Sequence, residues 1–559
     1  NRGDSWKPIS SDLTKNEERL SLPIMGRQQS WDGAWDVYAM STYNTLTSLA
    51  ESAQDENMLY AGSDDGLLHT TKDGGASWTS QTVDKLPGVP ATAFVNDIKA
   101  DLFDTKIAYV ALDNHKFGDY APYLYKTTNG GKSWKAIVNG LPEGTLVWRL
   151  VQDHVNPNLL FLGTEYGVYV SVNQGAKWHK FSQGMPTISV RDLAIQKREN
   201  DLVAATFGRS YYVLDDYSPL REITEATLAQ GATLFPVRRA LQYVEIRGGT
   251  SSQGASFFTA KNPKYGAQFT YYISEDIKTL KAQRKKAEKA LNKEKQDIPF
   301  PGWEALDAEM NEQQPKAILR ISDAAGNKLA EVSGDYTQGI HRVHWDLQQL
   351  MPAAIDIHAD NDSGRGIRTN VAPGTYQVQL FKAHKGTLTQ LSQKQSFEVI
   401  RLRQNVLENP TAASHASYRE KLNALYVRAE KLRKKFSTAS KKIDALAKGL
   451  SFAQQQQQAL HQTLYALQQE EKDIDKQLNG SPAKKEVGEK DTPTLSSRMS
   501  VASRGFYSNT YGPTQMHMES YDMAATLLIQ IKNKVDALAQ KTEAAISTAT
   551  AAGAPVILD

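Results

Sequence analysis

The chain contains no cysteine. That excludes a disulfide scaffold, a thiolate zinc site and cysteine catalysis. It has no apolar run near the ~18 residues that a membrane-crossing helix needs. It also lacks a surplus of either charge: 65 Lys and Arg stand against 62 Asp and Glu, a net of +3. Nothing in that balance asks for nucleic acid or another polyanion as a partner. A phosphate-cradling glycine loop, an HExxH zinc motif, a nucleophile elbow and a nucleotide fingerprint are absent too. What remains is a 559-residue chain, 40% hydrophobic and 23% charged. At roughly 150 residues per domain, about three or four domains are expected. The sequence opens at Asn1 inside a motif that recurs later, so a processed or truncated piece is expected.

That motif is the main signal. Thr71-Lys72-Asp73-Gly74-Gly75-Ala76-Ser77-Trp78 returns as Thr127-Thr128-Asn129-Gly130-Gly131-Lys132-Ser133-Trp134. It returns again as Ser171-Val172-Asn173-Gln174-Gly175-Ala176-Lys177-Trp178, and Asn1-Arg2-Gly3-Asp4-Ser5-Trp6 fits its last six positions. The pattern describes a stapled hairpin turn. The Asp or Asn accepts backbone N–H groups of its own turn, the Gly supplies a positive φ, and the Trp covers the hairpin. Each full copy follows short alternating strands such as 59–62 with 67–70, 108–111 with 124–126, and 159–163 with 168–170. One turn per ~40–50 residues indicates propeller blades, here at about 45–87, 93–141, 147–184 and 188–216.

This repeat resembles the Asp-box (BNR) repeat. The stretch Ala205-Thr206-Phe207-Gly208-Arg209-Ser210-Tyr211-Tyr212-Val213-Leu214-Asp215-Asp216 is similar to the last blade of bacterial sortilin-like Asp-box propeller proteins, often labelled glycosyl hydrolase. Phe207 stands where their usual form has His. The likeness continues through Gly339–Leu347 and Val371–Tyr376 to Tyr511-Gly512-Pro513-Thr514. It implies the C-terminal part of such a protein, with the remaining blades upstream or on a companion chain. It also implies export to the periplasm, cell surface or medium, and a peptide or protein ligand held at the propeller.

The expected architecture is mainly β with an α-helical C-terminal region. Residues 1–229 would be Asp-box β-propeller blades. Residues 230–403 would be an immunoglobulin- or fibronectin-like β-sandwich, on runs such as 268–273, 317–321, 341–345 and 376–381. A helical insertion at about 275–315 interrupts it. Residues 404–559 would be a helical bundle or long helical hairpin. Leu422, Leu425, Ala429, Leu432, Phe436, Ala439, Ile443, Leu446 and Leu450 follow a 3-4 spacing there, and further stripes run through 460–478 and 524–546. An exposed linker at 479–496 divides the helices.

For chemistry, Asp73, Gly75, Trp78, Asn129, Gly131, Trp134, Asn173, Gly175, Trp178, Asn1, Gly3 and Trp6 read as structural turn residues. They argue for a propeller and not for a glycosidase. No spacing selects a facing carboxylate pair of the kind glycoside hydrolysis needs. Arg209, Tyr211 and Tyr212 are the candidate binding residues, with Arg209 expected to brace a loop or pair with Asp215 or Asp216. His341 and His344, three apart on a strand, should point to opposite faces. Asp356, Asp360 and Asp362, with His358 between, are the metal candidates. Their hard oxygens would suit calcium, against the simpler reading of a solvated loop. No other cofactor is implied. The favoured function is a non-catalytic binding or scaffold protein. The alternatives are a polysaccharide hydrolase with its carboxylates upstream and a structural subunit of a surface complex.

Overall fold

The computed structural model describes residues 3–24, 26–33, 43–181, 184–245, 254, 256, 258–351, 367–404, 411–453 and 458–557. The chain divides into two compact units, Asn1–Ala229 and Gln230–Asp559.

The first unit is a series of antiparallel meanders. β1 (Leu46–Glu51), β2 (Leu59–Ser63), β3 (Leu67–Thr71) and β4 (Thr79–Thr82) form one sheet. β5 (Phe94–Ala100), β6 (Ala108–Asn114), β7 (Asp119–Thr127) and β8 (Lys135–Ala136) form the next, followed by β9 (Val147–Gln152), β10 (Leu160–Thr164), β11 (Gly167–Ser171) and β12 (His179–Lys180). A three-stranded sheet of β13 (Val190–Gln196), β14 (Asp201–Thr206) and β15 (Tyr211–Leu214) ends the series. Four-stranded meanders packed side by side through their first strands are β-propeller blades. β1 packs on β5, β5 on β9 and β9 on β13, while no comparable contact returns from β13 to β1 among the described residues. The blades therefore form an open arc.

A bulge recurs in every first strand. The pairing skips Thr47, Asn96, Trp148 and Arg191, one residue in each of β1, β5, β9 and β13. The extra residue reverses the side-chain alternation there. Two residues later, Ile98, Leu150 and Leu193 are buried between blades. Each such side chain is worth about 1.5–3 kcal/mol when fully removed from water. The facing second strand is kept small. A side chain at Gly62 would lie 2.4 Å from Val95 Cγ1, and one at Gly163 would lie 3.2 Å from Val190 Cγ1.

The second unit opens with β16 (Ala232–Leu234), β17 (Ala240–Gln242) and β18 (Ala267–Ile273). β19 (Lys316–Asp323), β20 (Lys328–Asp335), β21 (Gly339–Trp345), β22 (Gln348–Met351), β23 (Ile367–Asn370), β24 (Gly374–His384), β25 (Thr387–Gln390) and β26 (Gln395–Arg401) follow. One sheet has the order β16-β18-β21 and a second the order β17-β26-β24-β19-β20, with β25 on β24. Phe269, Tyr271 and Trp345 from the first share one apolar core with Leu319, Val378, Leu380 and Phe397 from the second. Between β18 and β19 lie α1 (Leu280–Lys293) and α2 (Trp303–Asn311), joined by Arg284 forking onto Glu309 at 2.7 and 2.9 Å.

The helical region consists of α3 (Ala412–Leu450), α4 (Gln458–Asn479), α5 (Leu495–Arg504) and α6 (Gln515–Ala551), with one short turn of helix at Pro482–Glu486. Thr411 and Thr494 cap α3 and α5 by accepting from Ser414 N and Ser497 N. The 3-4 stripe of α3 is buried against α4, α5 and α6 in one cluster. Tyr418 Oη donates to the carbonyls of Ala502 and His517, tying α3 to both α5 and α6. Helix α5 is an addition to the three stripes read from the sequence. It begins inside the expected linker, at Leu495, which is buried, whereas residues 482–493 are exposed.

Candidate functional site

The strand register gives the first unit two distinct ends. Leu46 pairs with Ser63, Phe94 with Asp113, Val147 with Thr164 and Val190 with Thr206. The start of each first strand therefore sits beside the hairpin that joins the second and third strands. The repeated turns join third and fourth strands, so they lie at the opposite end.

In those turns Asp73 accepts from Ser77 N at 2.9 Å and from Thr71 Oγ1 at 2.7 Å. Asn129 accepts from Ser133 N at 3.0 Å and Asn173 from Lys177 N at 2.9 Å. The hydroxyls of Thr71, Thr127 and Ser171 accept from the N–H of Gly75, Gly131 and Gly175. Hydrogen bonds from Ser77 and Thr71 hold the exposed Asp73 carboxyl down at about 2. Trp134 and Trp178 are buried. Trp78 Nε1 donates to Ile9 O and Trp178 Nε1 to Ile137 O. Ile9 and Ile137 each stand three residues after a motif Trp, Trp6 and Trp134. The segment after Trp6 thus meets the first blade as the strand after Trp134 meets the third. Trp6 itself is 90% exposed, with no hairpin beneath it, and Gly3 lies on an exposed turn. Asn1 lies outside the described residues.

The opposite end carries a polar and aromatic ladder built on the bulges. Thr47 Oγ1 donates to Val95 O of the next blade at 2.6 Å, and Asn96 Nδ2 donates to Val147 O at 3.1 Å. One residue further, Ser48 Oγ accepts from Ile98 N at 2.8 Å. The buried Asp97 accepts from Leu150 N and from Arg149 Nη1 at 2.8 Å. Arg149 Nε lies 3.1 Å from Asp192 Oδ1, an ion contact without hydrogen-bond alignment. Burial pushes the Asp97 carboxyl above its ordinary value, against the pull of Lys99 and Arg149.

The bulged residues of the last two blades meet there, Trp148 buried and Arg191 exposed. The Arg191 guanidinium lies 3.7 Å over the Trp148 ring and 5.5 Å from the Phe207 ring. Its Nε donates to Ser189 Oγ at 3.0 Å, and Ser189 Oγ donates to Glu165 Oε2 at 2.9 Å. Trp148 Nε1 donates to the same Glu165 oxygen at 2.9 Å. His115, bonded to Asp113, meets the Trp148 ring edge-on at 5.8 Å. Phe207 is 72% exposed, and its N–H donates to Ser189 O. Each nearby carboxylate already has a partner: Glu165 in Trp148 and Ser189, Asp113 in His115, Asp119 in Tyr123 and Asn114.

The sequence candidates lie partly elsewhere. Arg209 is exposed on the β14–β15 turn, two residues after Phe207, and the cation at the Phe207 ring is Arg191. Tyr211 pairs with Ala205 and Tyr212 with Ala204, so the two rings leave opposite faces of β15. Asp216 takes Ser218 N and Oγ. His341 stacks on Tyr271, while His344 bonds Gln268, and burial lowers the His344 pKa. Asp356, His358, Asp360 and Asp362 lie outside the described residues. Among the described residues no group of His, Asp and Glu could hold a metal ion, and no helix is long and apolar enough to cross a membrane. Sequence reading passed over Trp148, Glu165 and Arg191 because a bulge, not a linear motif, brings them together.

No family model matches the chain, and no curated protein matches it. Among solved structures, the chain is similar to YCF48 from Cyanidioschyzon merolae at 17% identity and a TM-score of 0.24, over 32% of this chain and 57% of that one. A GH74 enzyme from Niastella koreensis aligns at 15% identity and a TM-score of 0.24, over 41% and 28%. The β-propeller domain of Cps50 (Swd1) from Myceliophteria thermophila aligns at 13% identity and a TM-score of 0.25, over 35% and 63%. The chain spans less than two thirds of each of these three.

Proposed function

We propose that this chain is part of a non-catalytic binding protein of the sortilin-like Asp-box type, whose propeller takes a peptide or protein ligand on the face opposite the Asp boxes. The observation that carries the reading is the fixed cation at that face. Arg191 is stacked on Trp148, bonded through Ser189, and flanked by the exposed Phe207. A cation and rings held in place before a ligand arrives lose little freedom on binding, and Trp and Arg are the residues that dominate protein recognition. Glu165, Asp113 and Asp119 are each held by neighbouring side chains, and the hydrolase alternative would need two carboxyl groups facing each other across a substrate cleft. The two-sheet body and the helices are read as a β-sandwich and a helical bundle. Export follows from the same resemblance and is tested by fractionation.

The reading includes a partner: further blades of the same repeat, carried outside these 559 residues. It is supported by the open arc, by the outer-strand seat of Lys7–Ile9, and by Leu46 and Leu49, which are exposed where every later blade buries the equivalent residue.

The test is to pan the purified protein against a displayed peptide library and to repeat the capture with Phe207→Ala and Arg191→Ala. Enriched peptides that both variants lose, at unchanged melting temperature, support the reading. Reducing ends released from β-glucans, with loss of that release on substituting a single carboxylate, would replace it with the hydrolase. Native mass spectrometry with N-terminal sequencing of the natural particle tests the partner. A particle of this chain alone at 62.0 kDa removes it.

A further inference from the structure

In the second unit, a cavity of about 130 Å³ lies where the end of β26 meets the first turn of α3 and the loop between α5 and α6. Arg401 and His415 line it together with Asn370, Phe506, Thr510 and Gly512. At ~30 Å³ per water it has room for about four waters, or one small ion with a water or two.

Its charges are one-sided. Arg401 uses Nε on Thr510 O at 2.8 Å, and its two terminal nitrogens have no partner among the described residues. Arg419 sits one helical turn beyond His415 on α3, and its Nε is buried with no hydrogen-bond partner. Neither arginine forms an ion pair among the described residues. Asp323, the acid on the neighbouring strand β19, is spent on Asn327 N and Nδ2, and Glu420 is exposed. His415 is edge-on to Phe506 at 4.7 Å and held neutral by burial and by both arginines. The start of the 39-residue α3 adds the positive end of its dipole.

A half-buried guanidinium group that faces a cavity with no carboxylate opposite it is costly, because burial removes water and supplies nothing in return. The loop around it is nevertheless closely fixed. Asn509 Oδ1 accepts from Tyr511 N and Gly512 N, Asn370 N donates to Phe506 O, and a side chain at Gly505 would lie 2.6 Å from Pro513 Cα. The planar fork of an arginine facing such a cavity matches the geometry of an oxyanion. We propose that the cavity binds one small oxyanion, gripped by the guanidinium group of Arg401. The anion locks the two-sheet body to the helices. Its chemistry is shared by free inorganic phosphate and by a carboxylate group. This inference is independent of the reading of the propeller face.

The test is thermal unfolding of the full chain at fixed ionic strength in chloride, titrated with inorganic phosphate in one arm and acetate in the other. A saturable rise in melting temperature is expected in one arm, since a ligand that binds only the folded state stabilises it by mass action. A response to phosphate alone assigns free phosphate, and a response to acetate assigns a carboxylate. Arg401→Gln should abolish the rise, while Lys485→Gln, an exposed control, should keep it. Arg401→Lys retains the charge without the fork and should weaken the apparent affinity about tenfold. This milder variant serves if Arg401→Gln fails to fold. No rise in either arm, or a rise undiminished in Arg401→Gln and Arg401→Lys, overturns the proposal.

Discussion

Leu49 and Ile98 hold the same place in successive first strands, two residues past the bulge, yet Leu49 is 67% exposed and Ile98 only 1%. The difference is the neighbour. Ile98 enters the space left by Gly62 on the preceding blade, and among the described residues Leu49 has no preceding blade to enter. Ile98→Ala is therefore expected to cost about 2–5 kcal/mol, as large-to-small changes in a core do. Leu49→Ala should stay within about 0.5 kcal/mol in the isolated chain. Denaturant unfolding of both variants measures the contrast. Equal losses would mean that Leu49 is already covered.

The socket is as telling as the knob. Gly62→Ala adds one methyl 2.4 Å from Val95 Cγ1 and 3.0 Å from Ile98 Cδ1, although the backbone at Gly62 suits any residue. The cost is overpacking, about 1–3 kcal/mol. Combining Gly62→Ala with Ile98→Val should recover part of it, because the two sites share one space. A double-mutant cycle by denaturant unfolding reads the coupling, and strict additivity would contradict the packing described.

Much of this was legible in the sequence, for identifiable reasons. The turns announce themselves because Asp or Asn, Gly and Trp each do one local job at a fixed offset. The β2–β3 and β10–β11 hairpins follow from alternation. The ladder at the other end was not legible. Trp148 and Arg191 lie 43 positions apart, and the bulge that aims them at each other has no composition of its own. Helix α5 was missed because Ser496, Ser497 and Ser500 favour caps and turns over helix interiors. Leu495, Met499 and Ala502 prevail through burial against α6. The cavity beside Arg401 depends on contacts more than 100 residues apart, such as Arg401 with Thr510.

Asp153 anchors the end of the last blade to the third. Arg221 forks onto it at 2.8 and 2.7 Å, and Tyr217 Oη donates to it at 2.6 Å. Burial alone would raise the Asp153 pKa, but bonds from Arg221, Tyr217 and Asn156 N hold it below 3.8. Arg221→Met leaves a buried carboxylate without its cation and should cost about 3–5 kcal/mol. Because the folded value is the lower one, this stabilisation is present above the unfolded pKa and is lost as pH falls through the folded one. Acid unfolding of the first unit should therefore shift to higher pH in Arg221→Met. An unshifted midpoint would remove Asp153 as the anchor.

His415 works in the opposite structural setting, with the same sign of pH dependence. Burial first, then Arg419 and Arg401, push its pKa from 6.5 down to about 4. The groups bearing on it are Arg419 on its own helix and Arg401 on β26, and the Phe506 ring that packs against it carries no charge. A histidine whose folded pKa is depressed binds protons more weakly folded than unfolded. Its neutral form therefore contributes full stability above about pH 6.5. That contribution declines as pH falls toward 4 and is gone below the folded value. The total is on the order of 3 kcal/mol, since a tenfold change in proton affinity corresponds to about 1.4 kcal/mol. Denaturant midpoints of the second unit should fall between pH 6.5 and 4. His415→Phe, which keeps a ring against Phe506, should flatten that part of the profile. A wild-type slope preserved in His415→Phe would place the titrating group elsewhere.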